Sequence, residues 1–493
     1  MNQSSDRLSS VQGATILPKH RDLYYDGKWQ KPKGGYLDTI NPATGESLGP
    51  CAEANALDVD SAVQAAHRAF KEWRKVKPFE RAALVKQIAT VIRDHAEELA
   101  WLDSANCGNP LTVMIRDVHN VATRLEYFAG LATEVRGESI PMGPGIVNMT
   151  VREPFGVCCR IVAYNHPIGF TGTKMGPPLV TGNTVIMKPP YQAPLSSYRM
   201  MELIGDILPP GVLNIVTGGK ECGEALVAHP LVPRISLTGS VPTGRAIAKA
   251  GAERLKHITF ELGGKNACII YPDADLDKAI AGAVSGMNFA WCGQSCGSTS
   301  RLFVHHSVHD RVVAGMLDAI KSYQPGIPTD KSTTMGTLVS QAQFDKVMRY
   351  VELGKQERAV LAYGGKRPTN PELANGFFIE PTVFTNVSQQ MRIANEEIFG
   401  PVLSIIKWDD EEELFEQVNA VEYGLTCSIW TTSLTNAHRA AESVEAGYVW
   451  INNSSHHFLG APFGGYKQSG IGREESLEEL LSYTQIKNIN ITL

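Results

Sequence analysis

The residues best suited to chemistry in this chain lie between Phe289 and Arg301, in the sequence Phe-Ala-Trp-Cys-Gly-Gln-Ser-Cys-Gly-Ser-Thr-Ser-Arg. Cys296 stands there among glycine and serine residues, so its thiol can meet a substrate carbonyl without obstruction from large neighbours. A thiolate in such a position can act as a nucleophile. A free cysteine is more often a small buried apolar residue. On this stretch alone, both interpretations stay open.

A second stretch upstream, Thr259-Phe-Glu-Leu-Gly-Gly-Lys-Asn266, favours the catalytic interpretation. Together the two stretches resemble the aldehyde dehydrogenase superfamily, whose glutamate motif reads Glu-Leu-Gly-Gly-Lys and whose cysteine motif reads Gly-Gln-x-Cys. Here these motifs are Glu261 to Lys265 and Gly293 to Cys296, in the family's order and separation. The resemblance then extends from about Leu23 to the C-terminus.

The resemblance implies a route by which an aldehyde is oxidised to a carboxylic acid. Cys296 adds to the carbonyl carbon, and the thiohemiacetal expels a hydride to leave a thioester. The amide of Asn165, in Arg160-Ile-Val-Ala-Tyr-Asn-His-Pro167, stabilises the oxyanion together with the backbone N–H of Cys296. Glu261 acts as general base for the water that hydrolyses the thioester. Without the resemblance, Asn-x-Pro and Glu-x-Gly-Gly would indicate only turns.

The resemblance also implies a nicotinamide cofactor. The residues alone do not indicate one, because the Gly-x-Gly-x-x-Gly fingerprint is absent after the first predicted strand. Leu237-Thr-Gly-Ser-Val-Pro-Thr-Gly244 matches the family's phosphate segment, at a predicted helix start. The motif Asn395-Glu-Glu-Ile-Phe-Gly-Pro401 places Glu397 on the nicotinamide ribose and Phe399 beside the nicotinamide. The predicted cofactor residues are Tyr164, Lys188, Tyr191, Gly239, Ser240, Gly244, Gly263, Glu397 and Phe399.

The choice between NAD and NADP depends on Tyr191. Lys188 matches the family lysine that contacts the adenosine ribose, and many relatives carry a glutamate three residues later. That glutamate binds the 2′-hydroxyl and repels a 2′-phosphate. Tyr191 lacks the repelling charge but offers no positive charge to hold a phosphate, so NAD is favoured over NADP.

The substrate residues are predicted to be His166, Phe170, His457 and Phe463, the last of them within the family's C-terminal signature Pro462 to Gly470. Relatives that prefer simple apolar aldehydes often carry aromatic residues where this chain has histidines. The histidines favour a semialdehyde or a polar aromatic aldehyde, although a packing role for them stays open. No carboxylate or cysteine accompanies His166, His456 and His457 at a metal-ligand spacing, so no metal site is predicted.

The elements that must position these residues follow from the hydrophobic pattern. Short apolar strands at Val157 to Ala163, Thr184 to Lys188, Val212 to Val216 and Ile235 to Leu237 alternate with helix-length segments. Such alternation predicts an α/β fold with a parallel sheet covered by helices. A single long helix is expected from near Pro78 past Leu99, and another over Leu111 to Val135.

The resemblance implies a Rossmann-type cofactor domain, a related α/β catalytic domain and a β arm that pairs with a neighbouring subunit. The predicted boundaries are a loose N-terminal arm at 1–20, a dinucleotide-binding domain at 21–136 and 154–262, a catalytic domain at 263–475, and an oligomerisation arm and tail at 137–153 and 476–493. A homodimer and a homotetramer are both compatible with this arrangement.

Composition limits the alternatives. The net charge of −5 and the 20% of charged residues do not indicate nucleic-acid binding, and no apolar run is long enough to cross a bilayer. Nine cysteines without zinc spacing fit a reducing, cytoplasmic setting. Three rival functions remain open: acyl transfer to coenzyme A, ester hydrolysis by the same thiol, and a non-catalytic protein that keeps the fold.

Overall fold

A computed structural model describes residues 16–493, so most of the predicted loose arm at 1–20 lies outside the described residues. The described chain has two large sheets with helices on both faces of each, which confirms the predicted α/β class. No helix within the described range is long and apolar enough to cross a membrane.

The first large sheet has eight strands and reverses its strand order at Val157–Ile161. This strand pairs in parallel with Thr184–Lys188 on one side and with Arg234–Thr238 on the other. A crevice forms at such a switch point, outside the carboxyl ends of the strands. In spatial order the strands are Lys28–Gln30, Leu23–Tyr25, Leu213–Ile215, Thr184–Lys188, Val157–Ile161, Arg234–Thr238, His257–Glu261 and Gly470–Ile471.

The central strands of this sheet are buried along almost their whole length because both faces are covered. Val185 and Met187 pack into the core on one face, and Ile186 between them packs into the core on the other. The strands predicted from the apolar runs are all present, with bounds that differ by no more than two residues at either end.

The second large sheet has seven strands, all parallel except for the antiparallel pair Val360–Tyr363 and Thr382–Thr385 at one edge. It is joined to the first sheet by the short segment between Glu261 and Ala267. In spatial order its strands are Val360–Tyr363, Thr382–Thr385, Val402–Trp408, Arg301–His305, Ala267–Ile270, Thr426–Trp430 and Tyr448–Ile451.

The arm and the tail form a smaller sheet with each other. Thr484–Thr492 pairs antiparallel with Ile146–Pro154, which also pairs with Ser139–Ile140. The two remaining strand pairs are Tyr36–Ile40 with Ser47–Ala52 and Tyr423–Gly424 with Tyr466–Lys467. Whether the arm also pairs with a second subunit stays a prediction, as do the domain boundaries.

One helix prediction is wrong. The helix expected from Pro78 past Leu99 is two helices, Pro78–Asp94 and Ala96–Cys107, because His95 leaves helical geometry at φ −106° and ψ 24°. The α-helices, in chain order, are Ala56–Trp73, Pro78–Asp94, Ala96–Cys107, Leu111–Gly130, Pro167–Thr173, Gly176–Val180, Leu195–Ile204, Lys220–Ala228, Val241–Ala252, Leu276–Gly286, His309–Ala319, Gln341–Gln356, Arg392–Asn395, Glu411–Asn419, Leu434–Ser443 and Leu477–Leu481.

Candidate active site

Four of the predicted site residues lie at the carboxyl ends of neighbouring strands in the first sheet. Lys188 and Glu261 are the last residues of their strands, while Asn165 and Ser240 follow theirs within four residues. The parallel order of these strands therefore brings residues that are far apart in sequence to one edge of the sheet.

The second sheet contributes residues from the opposite ends of its strands. Asn266 precedes Ala267–Ile270, the Cys296 loop precedes Arg301–His305, and Glu397 precedes Val402–Trp408. The amino edge of the second sheet thus faces the carboxyl edge of the first. The segment from Glu261 to Asn266 runs directly between them.

The Cys296 loop begins where the helix Leu276–Gly286 ends. Asp275 caps that helix by accepting a hydrogen bond from the Lys278 N–H at 3.3 Å. The chain then reverses through the left-handed region at Asn288, Cys292 and Gly293, with φ values of 55°, 54° and 65°. A side chain at Gly293 would collide with the backbone carbonyl of Gly400.

Two buried amides hold the loop in place. Asn266 donates to the backbone oxygens of Cys296 and Ser298, at 2.7 and 3.0 Å, and its own oxygen accepts the Thr426 N–H. Gln294 accepts from the Val339 N–H and donates to the Thr337 carbonyl, at 3.1 Å each. Sequence reasoning missed the role of Asn266, although it stands directly after the glutamate motif.

Cys296 and Glu261 face each other across the two sheets. The Cys296 side chain is half-buried, and the pKa of its thiol is raised by burial and by the charge of the Glu261 carboxyl. Burial also raises the pKa of Glu261, with a further contribution from the charge of Glu474. One oxygen of Glu261 is buried without a hydrogen-bond partner in residues 16–493, so it is free to bind a water or substrate group.

The two donors predicted for the oxyanion are unoccupied. Among the described residues, neither the amide nitrogen of Asn165 nor the backbone N–H of Cys296 makes a hydrogen bond within the protein. Asn165 is held by Asn109, whose side chain donates to the Asn165 carbonyl at 2.8 Å. Sequence reasoning missed Asn109, which lies in a distant loop.

A buried ion-pair network lies behind Glu261. Lys174 pairs with Glu474, and Arg160 lies 3.5 Å from Glu474 and 3.3 Å from Glu479. The Lys174 and Arg160 charges oppose the effect of burial and lower the pKa of Glu474. Glu474 is therefore ionised, and its negative charge favours the protonated form of Glu261.

Lys188 is placed to meet a ligand oxygen. It is 7% exposed, and within residues 16–493 its ammonium group makes no hydrogen bond or ion pair. Burial lowers its pKa, and the nearby Glu53 carboxylate partly offsets that shift. Glu53, which sequence reasoning missed, accepts the Gly219 N–H at 2.7 Å. Tyr191 is 48% exposed, close to the strand end that carries Lys188.

The predicted phosphate segment forms a helix N-terminus. Ser240 caps Val241–Ala252 by accepting from the Thr243 N–H, and it is exposed. Gly239 donates to the Glu261 carbonyl at 3.0 Å, which fixes this turn beside the end of the neighbouring strand. Gly244 is buried against Leu262. An exposed helix N-terminus at the sheet edge suits a pyrophosphate.

Glu397 approaches the backbone of the glutamate motif. It accepts the Gly264 N–H at 3.1 Å, and any side chain at Gly263 would collide with its carboxylate. Phe399 has φ 54° and meets Tyr164 edge-on, with ring centroids 6.0 Å apart. The second Glu397 oxygen has no hydrogen bond among the described residues, which leaves it available for a ribose hydroxyl. These residues fit a dinucleotide.

His166 stands at the start of the helix after Asn165. Its Nδ1 lies 2.6 Å from the Asp117 carboxylate, and its ring lies against Phe170 and Trp291, with centroids 5.3 and 5.6 Å away. The structure thus brings two of the four predicted substrate residues together. Sequence reasoning missed Asp117, which lies on the helix Leu111–Gly130.

His457 is held in a second cluster. Its Nδ1 lies 3.1 Å from Glu475, which also pairs with Arg124 at 2.7 Å. The His457 ring stacks on Tyr448 and lies 4.5 Å from the Phe463 ring. The positive charge of Arg124 lowers the pKa of Glu475 despite its burial, and the hydrogen bond from His457 acts in the same direction. His456 is exposed, and its backbone carbonyl accepts from Trp450.

The three histidines considered for a metal site do not converge. In the described part of the chain, only His305, His306 and Asp409 have ligand atoms close enough to share an ion. That group lies at the carboxyl ends of strands in the second sheet, the edge opposite to Cys296.

Comparison with known proteins gives one consistent result. A profile of the Aldehyde dehydrogenase family matches residues 29–489. The aldehyde dehydrogenase tropH of Talaromyces stipitatus is 49% identical over 97% of this chain and 94% of its own length. The NAD⁺ complex of an aldehyde dehydrogenase from Bacillus cereus superposes with a TM-score of 0.94 at 38% identity, covering 98% of both chains.

A more specialised relative has the same architecture. The indole-3-acetaldehyde dehydrogenase AldA of P. syringae, solved as a cysteine-to-alanine mutant in complex with NAD⁺ and IAA, superposes with a TM-score of 0.95 at 34% identity, covering 98% of this chain and 99% of that one. With a family match over nearly the whole chain and the geometry above, this chain belongs to the aldehyde dehydrogenase family, whose members are oxidoreductases that act on aldehydes.

Proposed function

We propose that the protein oxidises an aldehyde to its carboxylic acid with NAD, through a thioester on Cys296. The observation that carries this proposal is the meeting of the Cys296 thiol with the Glu261 carboxyl, beside two unoccupied donors on Asn165 and Cys296. These are the nucleophile, the base and the oxyanion site that the reaction requires.

The residues would act in a fixed order. Loss of the thiol proton to solvent makes Cys296 a nucleophile. The Asn165 amide and the Cys296 N–H then hold the oxyanion that forms on the former carbonyl oxygen. NAD supplies the hydride acceptor. Once the thioester has formed, Glu261 takes a proton from water as the water attacks, and the acid leaves as the thiol is regenerated.

The cofactor contacts favour NAD over NADP. Lys188 and Ser240 would hold the adenosine ribose and the pyrophosphate, while Glu397 would hold the nicotinamide ribose. Two features near Lys188 support NAD: Tyr191 brings no positive charge, and the Glu53 carboxylate lies near enough to influence Lys188. A negative charge at that position disfavours a 2′-phosphate.

We also infer that the protein works as a homodimer or a homotetramer. Within the described residues, Thr484–Thr492 is an edge strand whose outer side pairs with no other strand. Ile486, Ile491 and Val147 leave apolar surface exposed on this small sheet. An unpaired edge with an apolar face needs a partner. Light scattering after size exclusion should give a mass of two or four chains, and a monomer would contradict this inference.

The proposed activity is tested by following reduced nicotinamide with purified protein across alkanals, benzaldehydes and carboxylated semialdehydes, each with NAD and with NADP. Cys296→Ala should abolish the signal on every aldehyde, while Cys292→Ala, four residues away and fully buried, should keep it. Activity that survives in Cys296→Ala would overturn the role of Cys296. Product formation that requires coenzyme A, or none of the cofactors, would point instead to acyl transfer or ester hydrolysis.

A further inference from the structure

Two imidazoles near the reaction centre are held in the same way. Nδ1 of His166 lies 2.6 Å from Asp117, and Nδ1 of His457 lies 3.1 Å from Glu475. A carboxylate can only accept, so each Nδ1 carries the hydrogen and donates it. In a neutral imidazole of this kind, Nε2 is left as an acceptor with a free lone pair.

Neither Nε2 is used within the described residues, where both histidines make polar contacts through Nδ1 alone. Their side chains are 21% and 28% exposed, so each is sheltered but reachable from outside. A half-buried acceptor without a partner favours a ligand that brings a hydrogen-bond donor.

Both histidine clusters contact residues of the reaction centre. His166 directly follows Asn165, and its ring lies against Trp291 in the Cys296 loop. The His457 ring lies against Phe463, whose backbone pairs with Glu474 behind Glu261. Both clusters therefore lie next to the residues that surround Cys296 and Glu261.

One helix sets the distance between the two clusters. Asp117 and Arg124 both lie on Leu111–Gly130, seven residues apart, which is about two turns and roughly 10 Å along the helix axis. The rings of Phe170, Trp291 and Phe463 line the same clusters. Aromatic walls with polar acceptors at that spacing suit a ring-bearing aldehyde better than a short alkanal.

The charges of the clusters argue against an anionic substrate. The cations held there are already paired, Arg124 with Glu475 and Lys174 with Glu474. Arg116 is next to Asp117 in the chain, but its side chain is exposed. Its positive charge opposes the rise that burial causes in the pKa of Tyr323. Asp117 adds a further negative charge, so a hydroxyl donor is a better match than a carboxylate.

We propose that His166 and His457 are specificity residues that accept hydrogen bonds from hydroxyl groups on an aromatic aldehyde. Asp117 and the Glu475–Arg124 pair are positioning residues that keep the proton on Nδ1. This proposal rests on the proposed function and narrows its substrate class.

The test compares substrates that differ in one group: 3- and 4-hydroxybenzaldehyde, the matching methyl compounds, and the matching formylbenzoates. All are measured at about pH 7, where an ordinary imidazole is mostly neutral and the phenols mostly keep their protons. Wild-type protein should show kcat/KM about tenfold higher for a hydroxyl than for a methyl compound, the factor that 1.4 kcal/mol provides. His457→Phe and His166→Phe should each reduce that ratio to within about twofold, mainly through KM, while the exposed His456→Phe should leave it unchanged.

Two further variants separate hydrogen bonding from packing. His457→Gln keeps an acceptor and should retain part of the preference that His457→Phe loses. Asp117→Asn can donate to Nδ1 and so reverse the tautomer, which should lower kcat/KM for the hydroxyl compounds while leaving the methyl compounds within about twofold. An equal loss on both would mean that Asp117 is only structural.

Equilibrium binding keeps this inference distinct from the proposed function. Cys296→Ala cannot carry out the chemistry, and calorimetry should show the same tenfold preference for hydroxyl over methyl compounds. If wild-type protein oxidises no aldehyde, the proposed function falls while the binding ratio still decides the substrate class. A ratio near one in Cys296→Ala, or a clear preference for formylbenzoates, would overturn the inference.

Discussion

The Cys296 centre and the histidine clusters are built by different means. At the centre, the loop is held by contacts to backbone groups. Asn266 donates hydrogen bonds to two carbonyls of the cysteine loop, and the lack of a side chain at Gly263 leaves room for the Glu397 carboxylate. At the clusters, side chains hold side chains: Asp117 orients His166, and Arg124 and Glu475 orient His457.

This difference has a consequence for how each region can change. Backbone contacts fix position whatever side chains surround them, so the centre tolerates little variation at its glycines and asparagines. Paired side chains can be exchanged together without moving the backbone. Under the proposed function, the centre carries out the reaction and the clusters select the aldehyde.

The largest expected effect separates the two halves of the reaction at the centre. Glu261→Gln should lower kcat by about 10² to 10⁴, since a general base contributes that much. One equivalent of reduced nicotinamide per site should still appear in a rapid burst, because formation of the thioester precedes the step that needs the base. Stopped-flow absorbance measures both. Cys296→Ala is the control and should show no burst.

The pH dependence of the steady-state rate gives a second test of Glu261 as the general base. Burial and the charge of Glu474 raise the pKa of Glu261, and a base is active only when deprotonated. The steady-state rate of wild-type protein should therefore fall as pH drops through that raised value, and Glu261→Gln should lose this limb. A limb that persists in the variant would assign the titration to another group.

For the histidine clusters, the largest expected effect of a substitution is on the stability of the fold. Arg124→Gln leaves the buried Glu475 carboxylate without its arginine partner and with the hydrogen bond from His457, which should lower the free energy of unfolding by up to about 3–5 kcal/mol at neutral pH. Arg93→Gln is the matched control, because its two 2.8 Å bonds to Glu126 are exposed and should contribute about 0–1 kcal/mol. Urea unfolding monitored by fluorescence compares them.

The sign of the pH dependence follows from the lowered pKa of Glu475. Such a carboxylate stabilises the fold above its unfolded value, and the stabilisation is lost as pH falls through its folded value. The difference between wild type and Arg124→Gln should thus be largest near pH 7 and narrow on acidification below about pH 4. If the difference in unfolding free energy between the two proteins increased at acidic pH, that result would contradict the ion pair between Arg124 and Glu475.

A smaller effect is expected from loss of the Asn266 hydrogen bonds to the cysteine loop. Asn266→Ala removes three hydrogen bonds and should destabilise by about 1–3 kcal/mol while lowering kcat several-fold, because the Cys296 carbonyl loses its anchor. Asn419→Ala removes a similar pair of hydrogen bonds, to Ser443 and Glu445, which do not reach the cysteine loop. It should lower stability but leave kcat unchanged. Equal kcat values in the two variants would count against a positioning role for Asn266.

The smallest effect concerns the helix that leads into the loop. Asp275→Ala removes its N-cap and should lower the free energy of unfolding by about 1 kcal/mol, with little change in kcat. Asp277→Ala, on the same turn and largely exposed, should change it by less than about 0.5 kcal/mol. Thermal unfolding of both variants checks the order.

Much of the architecture was predictable because it depends on local patterns. Apolar runs predicted the strands of the first sheet, and their alternation with helix-length segments predicted the α/β class. The two halves of the helix predicted through Leu99 share one apolar face, so periodicity could not reveal the break at His95.

The histidine clusters were only half predictable. His166 and His457 could be singled out by their places in motifs, but their partners come from elsewhere: Asp117 lies 49 positions before His166, and Arg124 lies 351 before Glu475. Asn109, which holds Asn165, is equally remote. No local spacing marks such pairs, because only the packed helix Leu111–Gly130 and the loop before it bring them together.

The short link between the large sheets has a mechanical consequence. From Glu261 to Asn266 the chain takes five steps, at most about 18 Å when extended. Within that span lie Glu261, the glycine that faces the Glu397 carboxylate and the Asn266 amide that hydrogen-bonds the cysteine loop. This short link therefore limits how far the facing edges of the two sheets, and with them Glu261 and the cysteine loop, can move apart.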